Sequence, residues 1–107
     1  MSTEYCVVLT TFADEQNGEK IIHSLIEKRL AACVQVQSIE SYYHWQGKVN
    51  KDQECLAIIK TTKAHYKAVE ADIINNHDYE TPQIIQLPIS AGYSDYLNWI
   101  NEECLTS

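Results

Sequence analysis

Two long runs of strand-forming residues, Ala32–Trp45 and Val49–Thr62, flank the turn signal Gln46-Gly47-Lys48 and predict one hairpin with arms of 14 residues each. At about 3.3 Å per residue, such an arm reaches roughly 46 Å. A 107-residue chain folded as one domain has a radius of gyration near ~13 Å and is only about 34 Å across. The hairpin must therefore project beyond its own core. Its outer part is not polar, because Tyr42, Tyr43 and Trp45 gather near the tip. An isolated two-stranded ribbon is marginal in water, and its open edges invite pairing. The expectation is an obligate oligomer of closed symmetry in which neighbouring copies cover the arm. The alternative is that the strands are shorter, with the aromatics packed on the closing helix.

The remaining elements fall around this hairpin. Tyr5–Phe12 is a continuous β-prone run, as expected for a central strand covered on both faces. Asp14 can cap the helix that follows, in which Ile22, Leu25, Ile26 and Leu30 mark a buried face. Within Ala32–Trp45, Val34 and Val36 share one phase and Ile39, Tyr43 and Trp45 the other, which predicts a bulge or bend between them. Thr62 is the expected N-cap of a second helix bearing Tyr66, Val69 and Ile73 and ending at Asn75-Asn76. A last strand is expected over Gln83–Ile89, on the edge because Pro88 lacks a ladder donor. A closing helix begins at Asp95 and carries Tyr96, Leu97, Ile100 and Cys104.

The order strand, helix, two strands, helix, strand, helix predicts an α+β fold. It is a ferredoxin-like βαββαβ sandwich, residues 1–107 as a single domain, with an extra C-terminal helix. The first and third strands are expected to be central, the second and fourth at the edges.

Charge and cysteines narrow the function classes. With 8 basic and 15 acidic residues the formal charge is −7, which repels a phosphate backbone and argues against nucleic acid as a partner. No apolar run approaches the ~18–20 residues of a membrane helix, and no secretory signal is read at Met1–Tyr5. Cys6, Cys33, Cys55 and Cys104 form no Cys-x-x-Cys pair and have no nearby His, so a structural zinc site is not expected. Each lies in an apolar stretch, as reduced core thiols of a cytoplasmic protein do.

Six motifs recur in order: Lys28-Arg-Leu-Ala-Ala-Cys-Val34, Tyr43-His-Trp-Gln-Gly-Lys48, Ile59-Lys-Thr-Thr62, His77-Asp-Tyr-Glu-Thr-Pro82, Leu87-Pro-Ile-Ser-Ala-Gly92 and Tyr96-Leu-Asn-Trp-Ile100. Together, from about Cys6 to Ile100, they closely resemble the CutA family of divalent-cation tolerance proteins. The resemblance implies a ferredoxin-like fold assembled as a homotrimer, related in architecture to the PII signalling proteins. It also implies a role in tolerance of copper and other divalent metals, with no catalytic activity established for the family.

In copper-binding members the proposed ligands are a Cys near the end of the first strand and a His pair before a Tyr-x-x-Pro segment. Those positions match Thr10 and Asn76-His77 here, and Asp78 replaces a common Pro. One imidazole in place of a Cys and two His removes most of the affinity expected from soft and borderline donors. His77, with Asp78 and Glu80 close by, still offers a weak copper or divalent-metal site; the other reading is a plain loop histidine. His23, His44 and His65 are expected in solvated or stacking roles. Tyr42, Tyr43, Trp45 and Trp99 could line an inter-subunit cleft, with Lys48 and Lys60 neutralising an anion, or could form interface core.

The first functional expectation is a trimeric protein of metal homeostasis. The alternative is a PII-like regulatory trimer binding a small anion or nucleotide between subunits, although no Gly-rich phosphate loop is present. An enzyme is not expected, since no nucleophile–base signature is visible.

Overall fold

The computed structural model describes residues 4–104. Its elements are β1 (Tyr5–Phe12), α1 (Glu15–Glu27), β2 (Cys33–Trp45), β3 (Lys48–Thr62), a short 3-10 turn (Lys63–His65), α2 (Tyr66–Asn76), β4 (Ile85–Pro88) and α3 (Ser94–Glu103). The four strands form one antiparallel sheet in the order β2-β3-β1-β4. As expected, β1 and β3 are central, and β4, with its Pro88, lies on an edge. No helix among the described residues is long and apolar enough to cross a membrane.

The alternation of β1 decides which face is the core. Cys6, Val8, Thr10 and Phe12 are buried, and so are Ala57 and Ile59, their neighbours on β3. On this face they meet Ile21 and Leu25 of α1 and Val69 and Ile73 of α2. Each fully buried Leu or Ile stabilises the fold by about 1.5–3 kcal/mol. Gly18 lets α1 come down onto the sheet, since a Cβ there would stand 2.1 Å from the Phe12 ring.

Val7 and Leu9 point to the opposite face with Leu56 and Ile58, and there Ile85 and Leu87 of β4 stand beside them in register. Ile85 and Leu87 are exposed and the other four only partly buried. These six form an apolar patch on the second sheet face, bordered by Gln35, Gln37 and Lys60, and neither α1 nor α2 covers it.

Asp14 caps α1 as expected, accepting from the Asn17 backbone N–H at 3.2 Å. The buried stripe of α1 is Gly18, Ile21 and Leu25. Ile26, expected inside, is 39% exposed, whereas Ile21 is 1% exposed. The approach through Gly18 onto Phe12 sets the rotation of the helix, and that rotation favours Ile21. At the other end, Leu30 N–H reaches Leu25 O at 3.0 Å and Arg29 N–H reaches Ile26 O at 3.0 Å. This is a Schellman closure, with Arg29 rather than glycine in the left-handed region at φ 58°.

The hairpin is as long as expected, and the molecule's longest dimension is 46 Å. Its two-residue turn puts Gln46 and Gly47 at φ 51° and 80°, the primed geometry that suits tightly twisted arms. The expected bulge in β2 is absent, because pairing runs unbroken from Cys33↔Lys60 to Trp45↔Lys48. The change of apolar phase marks instead where the strand leaves its own helices. Val34 and Val36 pair with Ile59 and Ala57 on the core face, and Ile39, Tyr43 and Trp45 point the other way. β1 stops at Phe12↔Cys55, so β2 and β3 run on from there as a bare ribbon. Along it Tyr42, Trp45 and Val49 are 63%, 58% and 75% exposed. Among the described residues no ring contact joins these aromatics to α3.

Two further boundaries differ from expectation. Thr62 starts the 3-10 turn and makes no backbone cap; its hydroxyl lies 2.6 Å from His65 Nδ1, so the hydroxyl meets a side chain and not an N–H. β4 covers only Ile85–Pro88, and its late start follows from the loop described next.

Candidate functional site

The segment from His77 to Pro82 leaves α2, crosses the end of β1 and packs against the base of the ribbon. Here it borders an open cleft of about 980 Å³ lined in part by Thr11, Ser41, Tyr43, Asp52, Glu54 and Tyr79.

His77 anchors the segment. Its ring side chain is fully buried. Nε2 lies 2.7 Å from the Thr11 carbonyl oxygen, which can only accept, so Nε2 carries the proton. Nδ1 accepts the Tyr79 backbone N–H at 3.1 Å. The network assigns the neutral Nε2–H tautomer, with both ring nitrogens engaged. The Asp78 carboxylate is half exposed and stands 3.6 Å from Nδ1.

Tyr79 packs on the His77 ring, centroids 4.6 Å apart, and donates its hydroxyl to Glu54 Oε2 at 2.6 Å. The second Glu54 oxygen accepts from Ser41 Oγ at 2.6 Å. Further out on the ribbon, the Tyr43 hydroxyl donates to Asp52 Oδ2. A continuous chain of contacts therefore runs from Thr11 through His77, Tyr79 and Glu54 to Ser41. Burial, and after it the bond to Glu54, holds the Tyr79 phenol well above the usual range. The bond to Asp52 also raises the Tyr43 phenol. Asp52, Glu54 and Glu80 line the cleft, with no Lys, Arg or His among its lining residues.

The other expected metal positions lie apart from this chain. Thr10 is fully buried on the core face, where its hydroxyl meets no partner among the described residues. Asn76 uses its amide on Asp72 O at 2.8 Å and Ser24 Oγ at 3.4 Å. Among the described residues no three His, Cys, Asp or Glu side chains converge as a metal group would require. A cation at His77 would have to break one of the ring's two hydrogen bonds. Lys60 donates to Gln35 Oε1 at 2.8 Å and lies near the Tyr96 ring, on which Trp99 stacks at 5.7 Å. Trp99 and both lysines stay out of the cleft lining.

Sequence reasoning missed Ser41, Asp52, Glu54 and the hydroxyl role of Tyr79. The usable signal was the turn: a two-residue loop at Gln46-Gly47 fixes Ser41 opposite Asp52 and Ile39 opposite Glu54.

The family model described as CutA1 divalent ion tolerance protein matches residues 6–103. A protein named divalent-cation tolerance protein CutA, from Thermus thermophilus, is 41% identical over 97 residues, covering 90% of this chain and 94% of the relative. Arabidopsis thaliana has a protein named CutA, chloroplastic, that is 41% identical over 95 residues, 88% of this chain. The chain spans about half of that plant relative's length, 52%. The crystal structure of CutA1 from the psychrotrophic bacterium Shewanella sp. SIB1 superposes with a TM-score of 0.93 at 34% identity, covering 99% of this chain and 100% of that one.

Proposed function

Because the chain belongs to the CutA1 divalent ion tolerance family, we propose that it serves divalent-cation tolerance, as a homotrimeric binding protein and not as an enzyme. The observation that carries this reading is the family match itself, which runs from β1 to the end of α3. The PII-like alternative is not favoured, since the matching family and the relatives are named for cation tolerance.

The trimer is argued from two surfaces. The sheet face bearing Val7, Leu9, Leu56, Ile58, Ile85 and Leu87 has neither α1 nor α2 over it, and among the described residues the ribbon beyond Cys55 has no third strand. Copies that bury each other's ribbon and sheet face remove both liabilities at once. Contact with copper or another divalent cation is weak in this reading. The formal charge of −7 gathers cations in a salt-sensitive way.

The compartment proposed is the cytoplasm, on the ground that all four cysteines are free thiols. The plant relative named chloroplastic means that family membership does not fix this point.

The test is complementation. Cells lacking their own relative, and sensitised to copper, zinc or cobalt, should regain growth when supplied with this chain. Failure to restore growth with all three metals, despite folded protein at normal levels, would overturn the reading. Native mass measurement should give about 37 kDa, three times the 12.3 kDa chain; a monomer would remove the trimer.

A further inference from the structure

We propose that His77 is a positioning residue that ends the β1–β4 ladder and sets Tyr79 on Glu54, and that in this chain its ring is not a metal ligand.

The ladder supplies the first ground. β1 and β4 pair from Cys6↔Pro88 to Leu9↔Ile85, and just past Pro88 the Ile89 N–H reaches the Tyr5 carbonyl at 3.0 Å. The odd-numbered carbonyls of β1 therefore point to the β4 side, because hydrogen-bonding direction alternates along an antiparallel strand. The next acceptor in line is Thr11 O, and continued pairing would bring Gln83 N–H to it. The His77 Nε2–H takes that acceptor instead, at 2.7 Å. An imidazole thus stands where another backbone donor of β4 would be. The buried carbonyl is satisfied, and the strand begins at Ile85 rather than Gln83.

The second ground is what the other nitrogen does. Nδ1 accepts the Tyr79 N–H, fixing the backbone two residues on, and the two rings pack together. The Tyr79 side chain is thereby directed at Glu54 across the cleft. His77 acts through Tyr79; it does not itself line the cleft.

The third ground is the donor inventory. A metal ligand needs a free nitrogen lone pair. The Nε2–H tautomer has only the Nδ1 pair, and Tyr79 N–H occupies it. The Thr10 hydroxyl and Asn76 amide, which the structure places apart from the ring's contacts, are poor partners for copper. This inference stands apart from the tolerance role, because it concerns one ring and not the cation response of the whole protein.

The experiment uses the intact chain and NMR of the His77 ring, with copper(II) or zinc(II) chloride as probe. At neutral pH the ring should show the neutral Nε2–H form with a slowly exchanging ring proton. One equivalent of either metal should leave its signals unshifted and unbroadened. In His77→Ala, the Tyr79 amide should exchange at least ten-fold faster, and His77→Gln, which keeps an N–H for Thr11 O, should fall between. Selective broadening or shift of the His77 ring at one equivalent of metal would overturn the proposal, as would an Nδ1–H tautomer. So would unchanged Tyr79 exchange in a folded His77→Ala. The wild-type arm stands even if the alanine variant fails to fold. Growth rescue by a chain whose His77 ring is silent to metal would leave both this inference and the tolerance reading in place.

Discussion

Tyr79 donates its hydroxyl to Glu54 at 2.6 Å, and this one bond ties the loop before β4 to the base of the projecting hairpin. The partners are 25 residues apart in sequence. The phenol is partly buried and its acceptor is a carboxylate, which strengthens the bond.

Replacing Tyr79 by Phe should lower the unfolding free energy by about 1–2 kcal/mol, read from a shifted urea midpoint at constant slope. A pH arm makes the test sharper. Burial and the Glu54 bond raise the phenol in the folded state. Its contribution is then complete below the ordinary phenol value of about 10. Above that it declines, because the unfolded chain releases a proton that the folded chain retains. Stability of the unaltered protein should therefore fall more steeply above pH ~10 than that of Tyr79→Phe. Parallel curves would sink the assignment.

Gly18→Ala should destabilise by about 1–3 kcal/mol, although alanine is the better helix former by about 1 kcal/mol. The new methyl would stand 2.1 Å from a Phe12 ring that is itself 4% exposed. Thermal melts of Gly18→Ala, and of Gly18→Ala combined with Phe12→Leu, provide the check. The smaller partner should recover part of the loss.

Arg29 holds a left-handed backbone while its guanidinium donates to Glu103 O at 2.9 Å and Glu102 O at 3.0 Å, the last carbonyls of α3. Arg29→Gly removes a backbone penalty of about 1–2 kcal/mol but also this cation at a helix C-terminus. Global stability should change little, while the Cys104 amide, bonded to Ile100 O, should exchange about ten-fold faster. Unaltered exchange at Cys104 would show that the guanidinium does not hold α3 down.

Tyr43→Ser combined with Trp45→Ser should break up the proposed assembly. Both rings stand on the ribbon, 42% and 58% exposed in the single chain, and aromatic anchors of this kind dominate interface energy. Sedimentation at micromolar concentration should show loss of the trimer. A trimer that survives would place the contact on the sheet face alone.

Buried thiols add an alkaline limit. Burial, with Cys104 as the next cause, pushes the Cys6 thiol up to about 11. A raised folded value means its share of stability is whole below the ordinary thiol range and fades as pH climbs towards about 11. Cys6→Ala should be less stable at pH 7 yet lose less stability between pH 9 and 11 than the unaltered chain, as urea melts across that range would show.

Much of this was legible before any coordinates, for identifiable reasons. β1 came out residue for residue because Tyr5–Phe12 is uninterrupted and strongly β-prone. The hairpin came out because Gln46-Gly47 leaves few alternatives. The face of α1 was misjudged by a rotation that Gly18 and Phe12 impose from outside the helix. Apolar phase in β2 suggests a bulge or bend, yet pairing is unbroken, because phase reports which side is apolar, not whether the ladder is interrupted. His77 was visible as a residue worth noting; the use of both its nitrogens was not.

Local pattern therefore determined the element order, the sheet's central and edge strands, and the excess length of the ribbon, since each depends on neighbours within a few residues. Only the tertiary structure decided that Thr11 O would meet the His77 ring and that Glu54 would meet Tyr79. Those contacts join residues 66 and 25 positions apart. They arise when a loop with no periodicity of its own is laid across a strand end that still has an unfilled acceptor.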